Sequence, residues 1–175
     1  MRNDSYASHI MAFLDSCAFD PKYSPEDKFS KEIFDLHEQD EFGLTIAHST
    51  EKEIEHPNTP IWVKKKALEF LFTVEVNLTE HELEKLRRIE QILAGNGKRK
   101  NVVSDAKHIF EAQKYFADFV TTDERILRKK AELRQICPIK FFKPSEFVAY
   151  FKNEKHKLQE AKRKIEELRR RRFNN

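Results

Sequence analysis

Apolar positions fall in short blocks separated by polar stretches. His9-Ile10-Met11-Ala12-Phe13-Leu14 is one such block, and it stops at Asp15, which is the pattern of a buried strand. Pro21 and Pro25 mark a turn, and residues 28–40, with Ile33, Phe34 and Leu36, are predicted helical. Residues 42–47 (Phe-Gly-Leu-Thr-Ile-Ala) form a second strand candidate. Thr50 with Glu53 three residues on spells a capping box for a helix opening near Glu51, which Pro57 and Pro60 cut short. From Ile61 the apolar spacing of Ala67, Leu68, Leu71 and Phe72 predicts a helix, while residues 72–76 also fit a short strand. Thr79 and Glu82 spell a second capping box, for a helix through Leu83, Leu86, Ile89 and Leu93 that Gly95-Asn96-Gly97 ends. Lys98-Arg99-Lys100 is then a basic loop. Ser104 is the expected N-cap of a helix holding Asp105, His108, Ile109 and Ala112. Residues 118–122 read as a strand ending at Asp123, 124–135 as a helix and 139–142 as a strand. Pro144-Ser145-Glu146 opens a last helix that runs almost to the end.

Helices alternating with short apolar strands predict an α/β fold with a mostly parallel sheet, in which ligands bind beyond the carboxyl ends of the strands. A chain of 175 residues fits one domain. The expected division is a body, residues 1–150, and a basic amphipathic helical extension, residues 151–175. With 15 Phe but only 3 Gly, many-turned all-β and Gly-rich architectures are disfavoured. The net charge of +3 conceals an asymmetry: residues 152–175 hold ten Lys/Arg against four Asp/Glu, so this tail carries +6 and the body −3. Nothing approaches the ~20 apolar residues of a membrane span, and the first fifteen residues lack the apolar core of a signal peptide. Two cysteines, Cys17 and Cys137, make no disulfide framework; reduced thiols in a cytoplasmic protein are expected.

Asp15 and Asp123 each stand at the carboxyl end of a predicted strand, and Glu53 and Asp105 each in the first turn of a helix. Taken singly, each is explained as well by a cap or a turn. Together they crowd one edge of the sheet. Clustered carboxylates repel one another unless a cation joins them, and hard oxygen donors select Mg²⁺ or Mn²⁺.

The stretches Ser104-Asp105-Ala106-Lys107-His108-Ile109-Phe110-Glu111-Ala112 and Ala117-Asp118-Phe119-Val120-Thr121-Thr122-Asp123-Glu124-Arg125-Ile126-Leu127 resemble the C-terminal half of a PIN-domain nuclease. Phe13-Leu14-Asp15-Ser16 resembles the family's first strand and Asp, and Thr50-Glu51-Lys52-Glu53-Ile54 the helix start that carries its Glu. The resemblance covers roughly residues 9 to 148. It implies a three-layer sandwich with helices on both faces of the sheet, and metal-dependent hydrolysis of phosphodiesters, most often RNA. Asp15, Glu53, Asp105 and Asp123 would be the catalytic and metal-binding acids, with Ser16 and Thr122 supporting them. An ion-activated water would attack the phosphorus. Small relatives are toxins of toxin–antitoxin pairs, so an antitoxin is an implied partner. His108, the long segment 60–101 and the tail depart from the minimal toxin pattern.

The remaining features have two-sided readings. His108 lies one turn after Asp105 on the same helical face, to contact the scissile phosphate or to line the pocket. Lys98, Arg99 and Lys100 form a nucleic-acid-binding loop or a solvated one. Cys17 is expected to be a small buried residue and Asp118 to face solvent. Phe151, Leu158, Ala161, Ile165 and Leu168 form a stripe that packs on the body or on a second copy, giving a homodimer; nucleic acid is the next reading of the tail, and a membrane surface the last. The function expected is a Mg²⁺- or Mn²⁺-dependent ribonuclease, with a catalytically silent module binding RNA or protein as the alternative.

Overall fold

The computed structural model describes residues 10–19, 22–39, 42–57, 59, 61–70 and 77–173. The segment 72–76, which fitted either a strand or a helix, lies outside them together with His9, Pro21, Asp40 and Pro60. Four strands form one all-parallel sheet: β1 (Met11–Leu14), β2 (Gly43–Thr45), β3 (Asp118–Val120) and β4 (Phe141–Phe142), in the order β2-β1-β3-β4. Phe13 is opposite Thr45 on one side and Phe119 on the other, and Phe119 is opposite Phe141.

Alternation along β1 sorts its side chains to two faces. Ala12 and Leu14 join Leu44 and Val120 under α1 (Ser16–Phe19), α2 (Glu26–Glu38), α4 (Ile61–Phe70) and the start of α9 (Pro144–Phe173), through Phe19, Ile33, Phe34, Val63, Phe147 and Phe151. Phe13 and Phe119 point the other way. They meet α5 (Glu80–Ala94), α6 (Val103–Lys114) and α8 (Lys130–Leu133), through Ile89, Ile109, Phe110 and Leu133. Helix-covered faces on both sides explain why the strands are apolar blocks rather than alternating sequences. The α/β class and the layered arrangement are as expected.

Local signals explain most element ends. At α5 both arms of the capping box form: Thr79 Oγ1 accepts from the Glu82 N–H, and Glu82 accepts from the Thr79 N–H at 2.8 Å. Gly95 follows with φ of 51°, the left-handed region that favours glycine. The first turn of α9 is satisfied in trans, since buried Glu26 of α2 accepts from the Ser145 N–H at 2.9 Å and from its hydroxyl at 2.8 Å.

Other expectations are corrected. The predicted helix 124–135 is two short ones, α7 (Glu124–Arg128) and α8, separated at Lys129. Helix α6 starts one residue before Ser104, which therefore does not cap it. A 3₁₀ turn, His48–Thr50, leads into α3 (Glu51–Ile54), and the Thr50 hydroxyl, buried, has no hydrogen-bond partner, so that capping box does not form. Asp118 is half-buried and accepts from the Lys140 N–H at 3.0 Å rather than facing solvent.

Helix α9 runs unbroken through position 151. Phe151 is still in the core, but residues 156–171 are exposed, Leu158, Ile165 and Leu168 among them. Beyond Phe151 the apolar stripe of the tail therefore does not pack on the body. No helix among the described residues is long and apolar enough to cross a membrane.

Candidate active site

β2 lies on one side of β1 and β3 on the other, so the order of winding reverses between β1 and β3. The carboxyl ends of these two strands bound the crevice where parallel sheets bind ligands. Asp15 and Thr121 are the residues that follow them, and the Asp15 N–H donates to the Val120 carbonyl at 2.9 Å, holding the two ends together.

The Asp15 carboxylate is 5% exposed and fully engaged. Its Oδ1 accepts from the Ser16 N–H at 2.9 Å and lies 3.2 Å from His108 Nδ1. Its Oδ2 accepts from the Thr121 hydroxyl at 2.7 Å and from the Cys17 thiol at 3.2 Å. His108, on α6, is 1% exposed, and its Nε2 is 3.4 Å from the Ser104 Oγ one turn back and 3.8 Å from Glu53 Oε1. Glu53, from α3, accepts from the Ser104 hydroxyl at 2.5 Å and from the Ser16 hydroxyl at 2.7 Å. A closed circuit joins Asp15, His108, Ser104, Glu53 and Ser16.

Burial works to raise the Asp15 pKa. The His108 hydrogen bond and charge, with the bonds from Thr121 and Cys17, outweigh it and leave the group below 3.8. Burial likewise works to lower His108, but the Asp15 hydrogen bond and charge, then Glu53 and Asp105, lift it above 6.5. The two shifts describe one buried ion pair. Burial first, and the Asp15 charge second, push the Cys17 thiol up to about 12, so it is no nucleophile. Cys17 is not the small buried residue expected: the residue is exposed while its Sγ lies on the Asp15 carboxylate.

The outer part of the edge is built differently. Asp123 caps α7, its Oδ1 accepting from the Arg125 N–H at 2.7 Å. The Asp123 N–H donates to the Thr121 hydroxyl at 3.0 Å, so Thr121 links Asp123 to Asp15. The Arg125 guanidinium turns back over its own helix start: Nε is 3.0 Å from Asp123 Oδ2, Nη2 also bonds that oxygen, and Nη2 is 3.2 Å from Asp105 Oδ2. Burial, the Asp15 charge and the Asp123 charge raise the Asp105 pKa, against the pull of Arg125 and His108. Asp105 therefore lies within electrostatic reach of both other aspartates.

The four expected acids are thus gathered at one edge in two pairs, Asp15 with Glu53 across His108 and Asp105 with Asp123 across Arg125. Among the described residues no three His, Cys, Asp or Glu side chains are arranged as a metal-holding group. The donor set itself is chemically suited to Mg²⁺ or Mn²⁺, being all carboxylate, and the space between Asp105 and Asp123 already holds a positive group. The Ser16 hydroxyl donates to Glu53 at 2.7 Å. The threonine on the carboxylate is Thr121, whereas the Thr122 hydroxyl donates to the Cys17 carbonyl at 3.0 Å and braces the loop. His108 lines the floor, too buried to meet a substrate. Lys98, Arg99 and Lys100 are exposed, and Arg99 is paired with Glu90 at 2.7 Å.

No protein-family model and no curated protein matches this chain.

Sequence reasoning read Ser104 only as a cap and gave Thr121 and Arg125 no role at the site. The first stands four residues before His108, a spacing that stacks two side chains on one helical face, and so could have been found. Ser104, His108 and Asp15 also have the connectivity of a nucleophile, a base and its orienting acid. Two facts argue against that use. The Ser104 hydroxyl donates to Glu53 rather than to the more distant His108. Against the opposing effect of burial, Asp15 and Glu53 favour the protonated imidazole, the form that cannot accept a proton. Beside Glu53 a small cavity of about 70 Å³ is lined by Leu14, Ser16, Ile46 and the unpaired Thr50, roomy and polar enough for a water.

Proposed function

We propose that this edge binds Mg²⁺ or Mn²⁺ and hydrolyses phosphodiester bonds, with RNA as substrate. The observation that carries the reading is the gathering of Asp15, Asp105 and Asp123 at the β1/β3 crevice, where burial and the charges of Asp15 and Asp123 oppose the ionisation of Asp105 and a cation would relieve it. A bound divalent ion would acidify a water and neutralise charge on the phosphate.

The chain's own residues have the remaining roles. Asp15 stays ionised because His108, Thr121, Ser16 and Cys17 all favour its anion. Glu53 is held toward the edge by two serine hydroxyls, each donating to one of its oxygens. Asp105 and Asp123, half-buried beneath the exposed Arg125, would complete the donor set. The preorganised carboxylates need little reorganisation when the ion enters.

A second reading has its own support: every one of the four carboxylates already has a partner from the chain, as in a silent module that binds RNA or protein without cleaving. Incubating wild type and Asp105→Asn with structured RNA and single-stranded DNA, in Mg²⁺, Mn²⁺ or EDTA, separates the two. Metal-dependent cleavage lost in Asp105→Asn supports the hydrolase; binding with no cleavage in any metal supports the silent module. The resemblance further proposes a growth-inhibiting toxin countered by a protein antitoxin. Expression of wild type against Asp105→Asn in cells reads that directly, as loss of growth with the former alone.

A further inference from the structure

We infer that Arg125 is the resident cation of this edge, occupying the space between Asp105 and Asp123 until a divalent ion displaces it. The inference rests on the metal-binding reading above and adds a competitor from within the chain. Three observations carry it. The guanidinium bridges the two rim acids, touching Asp123 through both Nε and Nη2 and Asp105 through Nη2. Among the described residues it is the one cation within ion-pair distance of either carboxylate. Its side chain is 64% exposed, so it can leave without unpacking anything.

The two acids need such a partner when no metal is present. Asp105 and Asp123 repel each other, and Asp15 adds a third negative charge nearby. An exposed ion pair offsets that repulsion weakly and reversibly. Arg125 is therefore well suited to hold the rim together and poorly suited to resist a divalent ion, which carries twice the charge. Removal of the ion lets the guanidinium return. Asp15 and Glu53 behave otherwise, because their cation, His108, is 1% exposed and stays.

The bridge scales the apparent affinity for metal down to the fraction of molecules in which it is open. The test is Mn²⁺ binding to the full chain by calorimetry, paired with melting curves in EDTA and in Mn²⁺, for wild type, Arg125→Gln, Arg125→Lys and Asp105→Asn. Arg125→Gln is expected to bind Mn²⁺ roughly tenfold more tightly, the factor for a bridge populated in about nine molecules of ten. It is also expected to melt lower than wild type in EDTA and to regain the difference in Mn²⁺. Arg125→Lys, which keeps the charge but not the fork, should fall between, and it carries the test if the Gln variant does not fold. Equal or weaker binding by Arg125→Gln, with wild type binding Mn²⁺ and Asp105→Asn not, would overturn the role of Arg125 and leave the metal site standing. Binding by none of the proteins would overturn both.

Discussion

Asp15 and Glu53 lie against a buried imidazole and a set of hydroxyls, whereas Asp105 and Asp123 lie against one exposed guanidinium. The floor is wired into the core: its histidine sits on the same helix as Ile109 and Phe110, and its threonine continues β3. The rim's acids are half-buried, and what is exposed there is their guanidinium, at 64%. Buried ion pairs are costly to break by removing one partner, while exposed ones are worth little. The comparison teaches that four acids equivalent in the sequence have unequal duties. The floor is architecture that happens to be charged, and the rim is exchangeable.

The largest test removes the floor's charge. Asp15→Asn leaves His108 facing a neutral amide, and a loss of about 3 kcal/mol in urea denaturation at pH 6 is expected, at the lower end for a broken buried pair because Asn keeps the shape. Cleavage should vanish as well, so Asp15→Asn is not the clean catalytic knockout that a surface ligand would give. Unchanged stability would erase the distinction between floor and rim.

The rim predicts the reverse balance. Asp105→Asn should lower metal-dependent cleavage by roughly 10²–10³-fold, the size of losing one electrostatic stabiliser. Its stability in EDTA should not fall, since ionised Asp105 is opposed by burial and by two neighbouring charges. A destabilised Asp105→Asn would move Asp105 into the floor.

A third test uses pH. The folded pKa of His108 is raised above 6.5, so its contribution is fully present below 6.5 and is lost as pH rises through the folded value. That of Asp15 is lowered below 3.8, so its contribution is present above 3.8 and is lost as pH falls through the folded value. Wild type should exceed His108→Gln by up to about 2 kcal/mol between these limits, with the gap closing on the alkaline side. A pH-independent gap in chemical denaturation would mean that the imidazole is neutral throughout.

The smallest effect is expected outside both regions. Thr79→Ala removes the cap of α5 and should cost about 1 kcal/mol, with Mn²⁺ binding untouched.

How much of this was legible varies by element. The strands and the carboxyl-edge placement of Asp15 and Asp123 follow from apolar blocks that end in an acid, a local pattern. Thr79 was legible because its partner is three residues away. Thr50 and Ser104 carry the same cap-forming chemistry, yet neither caps: Thr50 is left unpaired, and Ser104 donates to Glu53 across 51 positions of sequence. A hydroxyl cannot announce which of two jobs it has when the competing acceptor comes from another layer. Arg125 was invisible for a related reason, since an Arg in the first turn of a helix looks like solvated surface until its cap residue and a second helix bring two carboxylates to it. The tail's stripe was readable as a stripe, but its fate depends on where α9 leaves the core, at Phe151.

From that departure, residues 152–173 continue as helix for about 33 Å at ~1.5 Å per residue. In physiological salt a lone surface charge is felt over only about 8 Å. The stretch from Lys157 on, with eight of the tail's ten lysines and arginines, thus extends several screening lengths past the body, which is itself net negative. A polyanion drifting toward the molecule meets the mast well before it meets the hull.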